Sequence, residues 1–247
     1  MMKLLYSLLF LGLGLMANAQ NEAFQKANSA YQAGAYEEAI QRYDSIVNSG
    51  YESAALYYNL ANAHYKLGAL APAILNYEKA LHLAPKDEEI LHNLKLAEQK
   101  RIDRFEALPP NLFKAFRFGI LLAFSPSTWA IIAIILLFVA SLGIGLYFLS
   151  SRKRIGFILA LSLSVLGLFS AWMAFQHQAH LEQHPALIVM SESAYVKSGP
   201  GTEAEDLFIL HAGTKVVRVD EYESWTKIRL IDGKIGWLPK GSLEAIY

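Results

Sequence analysis

The sequence predicts a multidomain chain with all-α helical repeats first, two transmembrane helices next, and a C-terminal all-β barrel. Three observations carry this. Residues 34–85 repeat themselves at a spacing of about 34 residues. Two apolar runs of membrane-spanning length lie between 126 and 176. After Ala186, short β-branched runs alternate with turn residues.

Composition narrows the function. Lys plus Arg and Asp plus Glu both number 22, so nothing in the net charge points to a nucleic-acid partner, and none is expected. The absence of cysteine excludes disulfides, thiolate nucleophiles and Cys-ligated zinc. Residues 1–19 read as a signal peptide. Lys3 precedes the short apolar run Leu4–Met16, and Ala17-Asn18-Ala19 supplies a small-x-small cleavage pattern, so the mature chain is expected to begin at Gln20.

The repeats occupy 20–108. Gly34-Ala35-Tyr36-Glu37-Glu38-Ala39-Ile40 aligns with Gly68-Ala69-Leu70-Ala71-Pro72-Ala73-Ile74, Tyr43 aligns with Tyr77, and Pro85 closes the second unit. This pattern resembles the tetratricopeptide repeat, in which each unit is a pair of antiparallel helices. Ala27, Ala39, Ala61, Ala73 and Ala80 are small enough for close helix approach, and Gly34 and Gly68 suit left-handed helix ends. Tyr43 and Tyr77 fill the gaps between units. From Asp87 a last amphipathic helix reads as the cap that repeat arrays need.

In that family the first helix of each pair lines a concave groove. The register places Phe24, Asn28 and Tyr31 there, then Tyr58, Asn59, Asn62, Tyr65 and Lys66, then His92 and Asn93 from the cap. Amides that bond extended backbone and tyrosines that add rigid contact area make a peptide-binding surface. Some family members clamp a C-terminal carboxylate with lysines and asparagines. Asn28 and Asn59 fit that scheme, whereas Phe24 stands where a clamp lysine belongs.

The composition shifts after Leu108-Pro109-Pro110. Residues 109–125, with Lys114, Arg117 and four phenylalanines, read as an interfacial segment. Ser125-Pro126 reads as a cap and first-turn proline. The spans are predicted at 126–150 and 155–176, with Trp129 and Trp172 at one interface and Gly143 and Gly145 allowing close packing. The loop 151–154 carries Arg152-Lys153-Arg154, which places it in the cytoplasm by the positive-inside rule. Both flanking domains then face the periplasmic side of a bacterial inner membrane, as the signal peptide requires. Neither span holds an ionisable residue, so transport is not expected. The linker 177–185 contains His177, His180 and His184, which share one face if the helix continues. They form a weak metal candidate, and no cofactor or metal is assigned.

The barrel is assigned to 186–247. Val196-Lys197-Ser198-Gly199-Pro200, His211-Ala212-Gly213-Thr214, Glu223-Ser224-Trp225 and Asp232-Gly233-Lys234-Ile235-Gly236-Trp237 follow in an order that resembles the bacterial SH3 domain. Asp232-Gly233 is a hairpin-turn pair. Such barrels often bind peptides, including cell-wall stem peptides. Tyr195, Tyr222 and Trp225 are the ligand candidates, and Trp237 is expected in the core.

The whole order of signal, repeats, two spans and SH3-like barrel resembles the BatE-type proteins of bacterial aerotolerance operons. The resemblance implies an envelope scaffold whose partners are membrane proteins, including ones with von Willebrand A domains, and a role in oxygen tolerance. Peptidoglycan binding through the barrel is the alternative. No nucleophile elbow or helical zinc motif occurs, so an enzyme is not expected.

Overall fold

The computed structural model describes residues 21–106, 119–120, 123–149, 153–183 and 185–247. The expected signal peptide, Gln20, most of the interfacial segment, loop residues 151–152 and His184 lie outside the described residues. Contacts divide the chain into two units. One joins the chain up to Glu106 with Ala186–Tyr247, and the other is Ala107–Pro185.

The first unit opens with five helices: α1 (21–32), α2 (Tyr36–Asn48), α3 (Ala54–Lys66), α4 (Leu70–Leu83) and α5 (Glu88–Gln99). Their ends follow local chemistry. At Gly34, φ is +78°, which lets Ala35 N–H reach the Ala30 carbonyl and Gly34 N–H the Tyr31 carbonyl, closing α1. Gly68, at +75°, repeats the arrangement at the end of α3 with His64 and Tyr65 as acceptors. The Ser53 hydroxyl accepts from Leu56 N–H to start α3, and the Asp87 carboxylate accepts from Glu89 and Ile90 N–H to start α5. Ala27, Ala39, Ala61, Ala73 and Ala80 are fully buried between helices, as are Tyr43 and, all but completely, Tyr77. At the outer edge of α1 and α2, the ion pairs Lys26–Glu22 and Arg42–Glu38 keep the first repeat wettable.

The barrel is a seven-stranded antiparallel sheet of β1 (Ala186–Val189), β2 (Ser193–Lys197), β3 (Asp206–His211), β4 (Lys215–Tyr222), β5 (Trp225–Arg229), β6 (Ile235–Pro239) and β7 (Leu243–Ala245), in the order β3-β2-β6-β5-β4-β1-β7. Val189, Val196, Leu210, Val216, Ile228 and Leu238 fill its interior. Trp237 is not among them. Its neighbours Gly236 and Leu238 point inward, so strand alternation turns the indole outward, where Lys227 Nζ lies 5.6 Å from the ring centroid. The expectation of a core Trp237 is therefore corrected.

The barrel and the repeats share one core. All four β1 residues are buried. Leu187 and Val189 face the barrel interior, while Ala186 and Ile188 pack with Ala71, Ile74 and Leu75 of α4. The period of two along β1 thus meets the helical spacing 71, 74, 75, 78 on the convex side of the second repeat. Polar contacts ring this seam. Lys215 Nζ lies 2.7 Å from Glu78 Oε1, the His82 and Tyr247 rings stack at 4.7 Å, and a strap over 101–106 crosses the barrel. On that strap Phe105 packs against the barrel core, and Asp103 accepts from His211 and Thr214. The sheet thus covers apolar side chains of α4 and α5, including Ile74, Leu75 and Leu94, and adds buried core to an array of two repeats and a cap.

The second unit is a helical hairpin of α6 (Pro126–Leu149) and α7 (Lys153–Gln183). Ser125 caps α6 through a bond from Thr128 N–H to its hydroxyl. Twenty residues of α6 and 27 of α7 are long and apolar enough to cross a membrane, and large apolar side chains such as Ile134, Phe138, Phe157 and Leu168 are exposed, whereas Ala133, Ala140 and Ala160 are buried. Gly143 meets Ala160, Gly156 meets the Tyr147 backbone and Gly167 meets Leu137, whereas nothing lies within 4 Å of a Cβ at Gly145. Ser170 Oγ donates to the Trp129 carbonyl at 2.7 Å. Trp129 is buried against Met173, while Trp172 is half exposed, so the two indoles differ in environment. The α7 helix runs through much of the segment assigned as linker 177–185, because Gln176–Gln183 contains no glycine or proline and Pro185 is the first residue that stops it.

Candidate functional site

The concave face of the repeats is built from two copies of one polar layer. In the first, the Tyr43 hydroxyl donates to Asn28 Oδ1 at 2.7 Å, and Asn59 Nδ2 donates to the same oxygen at 3.0 Å. In the second, the Tyr77 hydroxyl donates to Asn62 Oδ1 at 2.6 Å, and Asn93 Nδ2 donates to it at 3.2 Å. One tyrosine from the second helix of a pair and two asparagines from successive first helices thus satisfy one another. The ring packing repeats as well. Phe24–Tyr43 and Tyr58–Tyr77 both have centroids 6.0 Å apart at 54°. Phe24 is therefore the ring counterpart of Tyr58, which explains an aromatic side chain at that position. Tyr58 adds a hydroxyl, 2.7 Å from Asn93 Nδ2.

A pocket of about 300 Å³ opens beside the second layer, lined by Tyr31, Tyr58, Asn62, Tyr65, Lys66, Tyr77, Asn93 and Leu96. The structure brings six sequence-predicted residues into it: Tyr31, Tyr58, Asn62, Tyr65, Lys66 and Asn93. Asn28 and Asn59 lie in the adjoining first layer, and His92 is exposed on α5 away from the pocket lining. Tyr77 and Leu96 were not expected in the lining. Lys100 was not expected near it either, yet its Nζ stands 4.1 Å from the Tyr65 ring centroid. Continuing the repeat period beyond the second unit would have found it, since Lys66 is its counterpart one period earlier.

The electrostatics of the pocket are one-sided. Burial, with the neighbouring phenols, raises the Tyr31 hydroxyl pKa above its ordinary 10.0, pushes that of Tyr43 up to about 12, and raises that of Tyr77 further. These groups are neutral donors near pH 7. Asn62 Oδ1 is occupied twice over, so its Nδ2 is the atom left for a ligand. Tyr58 accepts from Asn93 and keeps its own proton to give. Among the described residues no Asp or Glu lines the pocket.

The barrel candidates divide. Tyr222 pairs with Trp225, and Trp225 pairs with Pro239, so these three form one cross-strand row. Tyr222 is exposed and Trp225 partly so. Tyr195 is exposed on β2 opposite Ile209, with no ring contact to that row among the described residues. Of the histidine row, only the His177 side chain is among the described residues. His177 is buried in the hairpin, where Nδ1 donates to the Phe124 carbonyl at 3.1 Å. The His180 side chain and His184 lie outside the described residues, and no metal-binding group occurs among the described residues.

A solenoid with a polar-aromatic groove and a small antiparallel barrel with an aromatic row are both architectures typical of binding modules. Comparison with known families agrees at both ends of the chain. Residues 54–87, spanning α3 and α4, match the tetratricopeptide repeat, and residues 192–244 match the bacterial SH3 domain. No curated protein matches the chain.

Proposed function

We propose that this chain is a membrane-anchored scaffold of the bacterial envelope whose repeat groove holds a partner protein. The observation that carries this reading is the pocket beside the Asn62–Tyr77–Asn93 layer, where tyrosine faces and unspent amide groups meet an open groove. The apolar hairpin anchors it, with the basic turn on the cytoplasmic side and both ends of the chain exported after signal cleavage. The resemblance to BatE-type proteins gives the partner class: membrane proteins of an aerotolerance system, including ones with von Willebrand A domains. Any part in oxygen tolerance passes through such partners, because the chain has no cysteine.

The test is an affinity capture of tagged full-length protein from detergent-solubilised membranes, with Tyr31→Ala/Tyr65→Ala in parallel. These two side chains line the pocket but take no part in the buried amide layers. Membrane partners lost from the variant support the scaffold. Partners retained by it move the contact elsewhere.

A second reading makes the barrel a cell-wall reader, favoured by the outward row of Tyr222, Trp225 and Pro239. Cosedimentation of the full-length protein with purified peptidoglycan, lost on Trp225→Ala, would support it. Protein that stays in the supernatant counts against it.

A further inference from the structure

The hydrogen-bond polarity of the groove specifies what its occupant carries. The buried layer uses up oxygens and leaves hydrogens. Asn62 Oδ1 takes the Tyr77 and Asn93 protons, which leaves Asn62 Nδ2 as a donor, and Tyr58 accepts from Asn93, which leaves its own hydroxyl proton. The Tyr31 and Tyr65 hydroxyls add two more protons without partners among the described residues. Against these donors the lining offers one unspent side-chain amide oxygen, on Asn93. Two ammonium groups stand at the pocket, Lys66 in its lining and Lys100 over the Tyr65 ring, and both residues are exposed and take part in no ion pair among the described residues. A neutral backbone could pair with the hydroxyl and amide groups, which both donate and accept, but would leave the two ammonium groups unanswered. A carboxylate accepts several protons and carries the opposite charge.

We propose that the pocket receives carboxylate side chains, and that the partner held in the groove presents an extended segment bearing Asp or Glu. This rests on the groove being the partner site. Two ammonium groups on different helices suit successive acidic side chains, whereas a chain end brings one carboxylate. The Tyr65 ring, which lines the pocket beneath Lys100, adds surface for the segment's own apolar atoms.

Fluorescence anisotropy on full-length protein in detergent micelles tests it with four short labelled peptides of one Gly-Ser-Tyr background. The first carries Asp and Glu, the second Asn and Gln at the same positions, and the third Lys there, all with amidated C-termini. The fourth is the second with a free terminal carboxylate. The acidic peptide is expected to bind at least about tenfold tighter than its amide counterpart. That preference should shrink as salt is raised and approach unity in Lys66→Gln/Lys100→Gln. Equal binding of acid and amide, a preference only for the free terminus, a preference that survives the double substitution, or no binding of any peptide overturns the proposal. A groove that loses its membrane partner on Tyr31→Ala/Tyr65→Ala, yet shows no acid preference, leaves the scaffold standing and removes only the acidic segment.

Discussion

Asp103 and His211 are 108 residues apart in sequence, and Asp103 Oδ1 lies 2.8 Å from His211 Nδ1. Oδ2 of the same carboxylate accepts from His211 N–H at 2.6 Å and from the Thr214 hydroxyl at 2.7 Å. The stretch between them includes both apolar helices. The clasp therefore ties the segment that leaves the repeats to the barrel that follows the hairpin, and with the β1–α4 seam it makes repeats and barrel one folded body.

The clasp has a pH signature. Burial opposes the charge on Asp103, but the three bonds from His211 and Thr214 outweigh it, and its pKa falls below the ordinary 3.8. A carboxyl group depressed on folding stabilises the protein above its unfolded pKa and loses that contribution as the pH falls through the folded value. Asp103→Asn should therefore lower stability by about 2 kcal/mol near pH 7, the scale of bonds to a charged acceptor. The gap from wild type should hold down to about pH 3.8 and close below it. Thermal unfolding of the full-length protein across pH measures this; a gap independent of pH down to the acid limit contradicts it.

The amide layer predicts a coupling. Asn62→Ala leaves the Tyr77 hydroxyl buried without its acceptor, at a cost of about 2 kcal/mol. Adding Tyr77→Phe removes the stranded group, so the double variant should be about 1 kcal/mol more stable than Asn62→Ala alone. Denaturant unfolding of the three proteins decides the matter. Additive losses would show that the two groups do not depend on each other. For the same reason Asn62→Ala cannot report on partner binding, since it disturbs the fold that shapes the groove.

The repeat units and their groove were legible because a fixed period imposes the same side-chain roles twice. Phe24 and Tyr58, Asn28 and Asn62, and Tyr43 and Tyr77 occupy equivalent places in sequence and in space. The strands were legible from alternation and turn residues. The docking of barrel on repeats was not, because Ile74 and Leu75 read simply as apolar helix positions and Ile188 as an apolar strand position. Nothing in a period says which buried face meets which. Asp103 was equally silent, since its partners lie beyond the hairpin. Trp237 was misassigned because large aromatic residues are usually buried, and only the strand register shows that Leu238 holds the inward position.

The seam itself can be probed at Gly213. Its φ is +86°, and a Cβ there would lie 2.8 Å from Ile74 Cδ1 across the interface. Gly34 has φ +78° with open space around it. Gly34→Ala should therefore cost only the left-handed strain, about 1 kcal/mol. Gly213→Ala should cost about 1 kcal/mol more, and Ile74→Val should recover part of that excess. Chemical denaturation of the four proteins checks the ordering. Equal losses at the two glycines would mean that the barrel does not press on α4.

In the hairpin, two glycines in neighbouring turns give opposite expectations. A Cβ at Gly156 would meet Tyr147 N at 3.2 Å and Cα at 3.3 Å, which are backbone atoms that cannot rotate away, whereas Gly145 faces open space. Apolar helices in lipid gain little from the hydrophobic effect on meeting and depend on such close packing. Gly156→Leu should separate α6 from α7 and lower the resistance of their helicity to added dodecyl sulfate. Gly145→Leu should leave that resistance unchanged. Circular dichroism along a dodecyl sulfate titration reads both. Equal sensitivity of the two variants would show that the Gly156 contact does not hold the hairpin together.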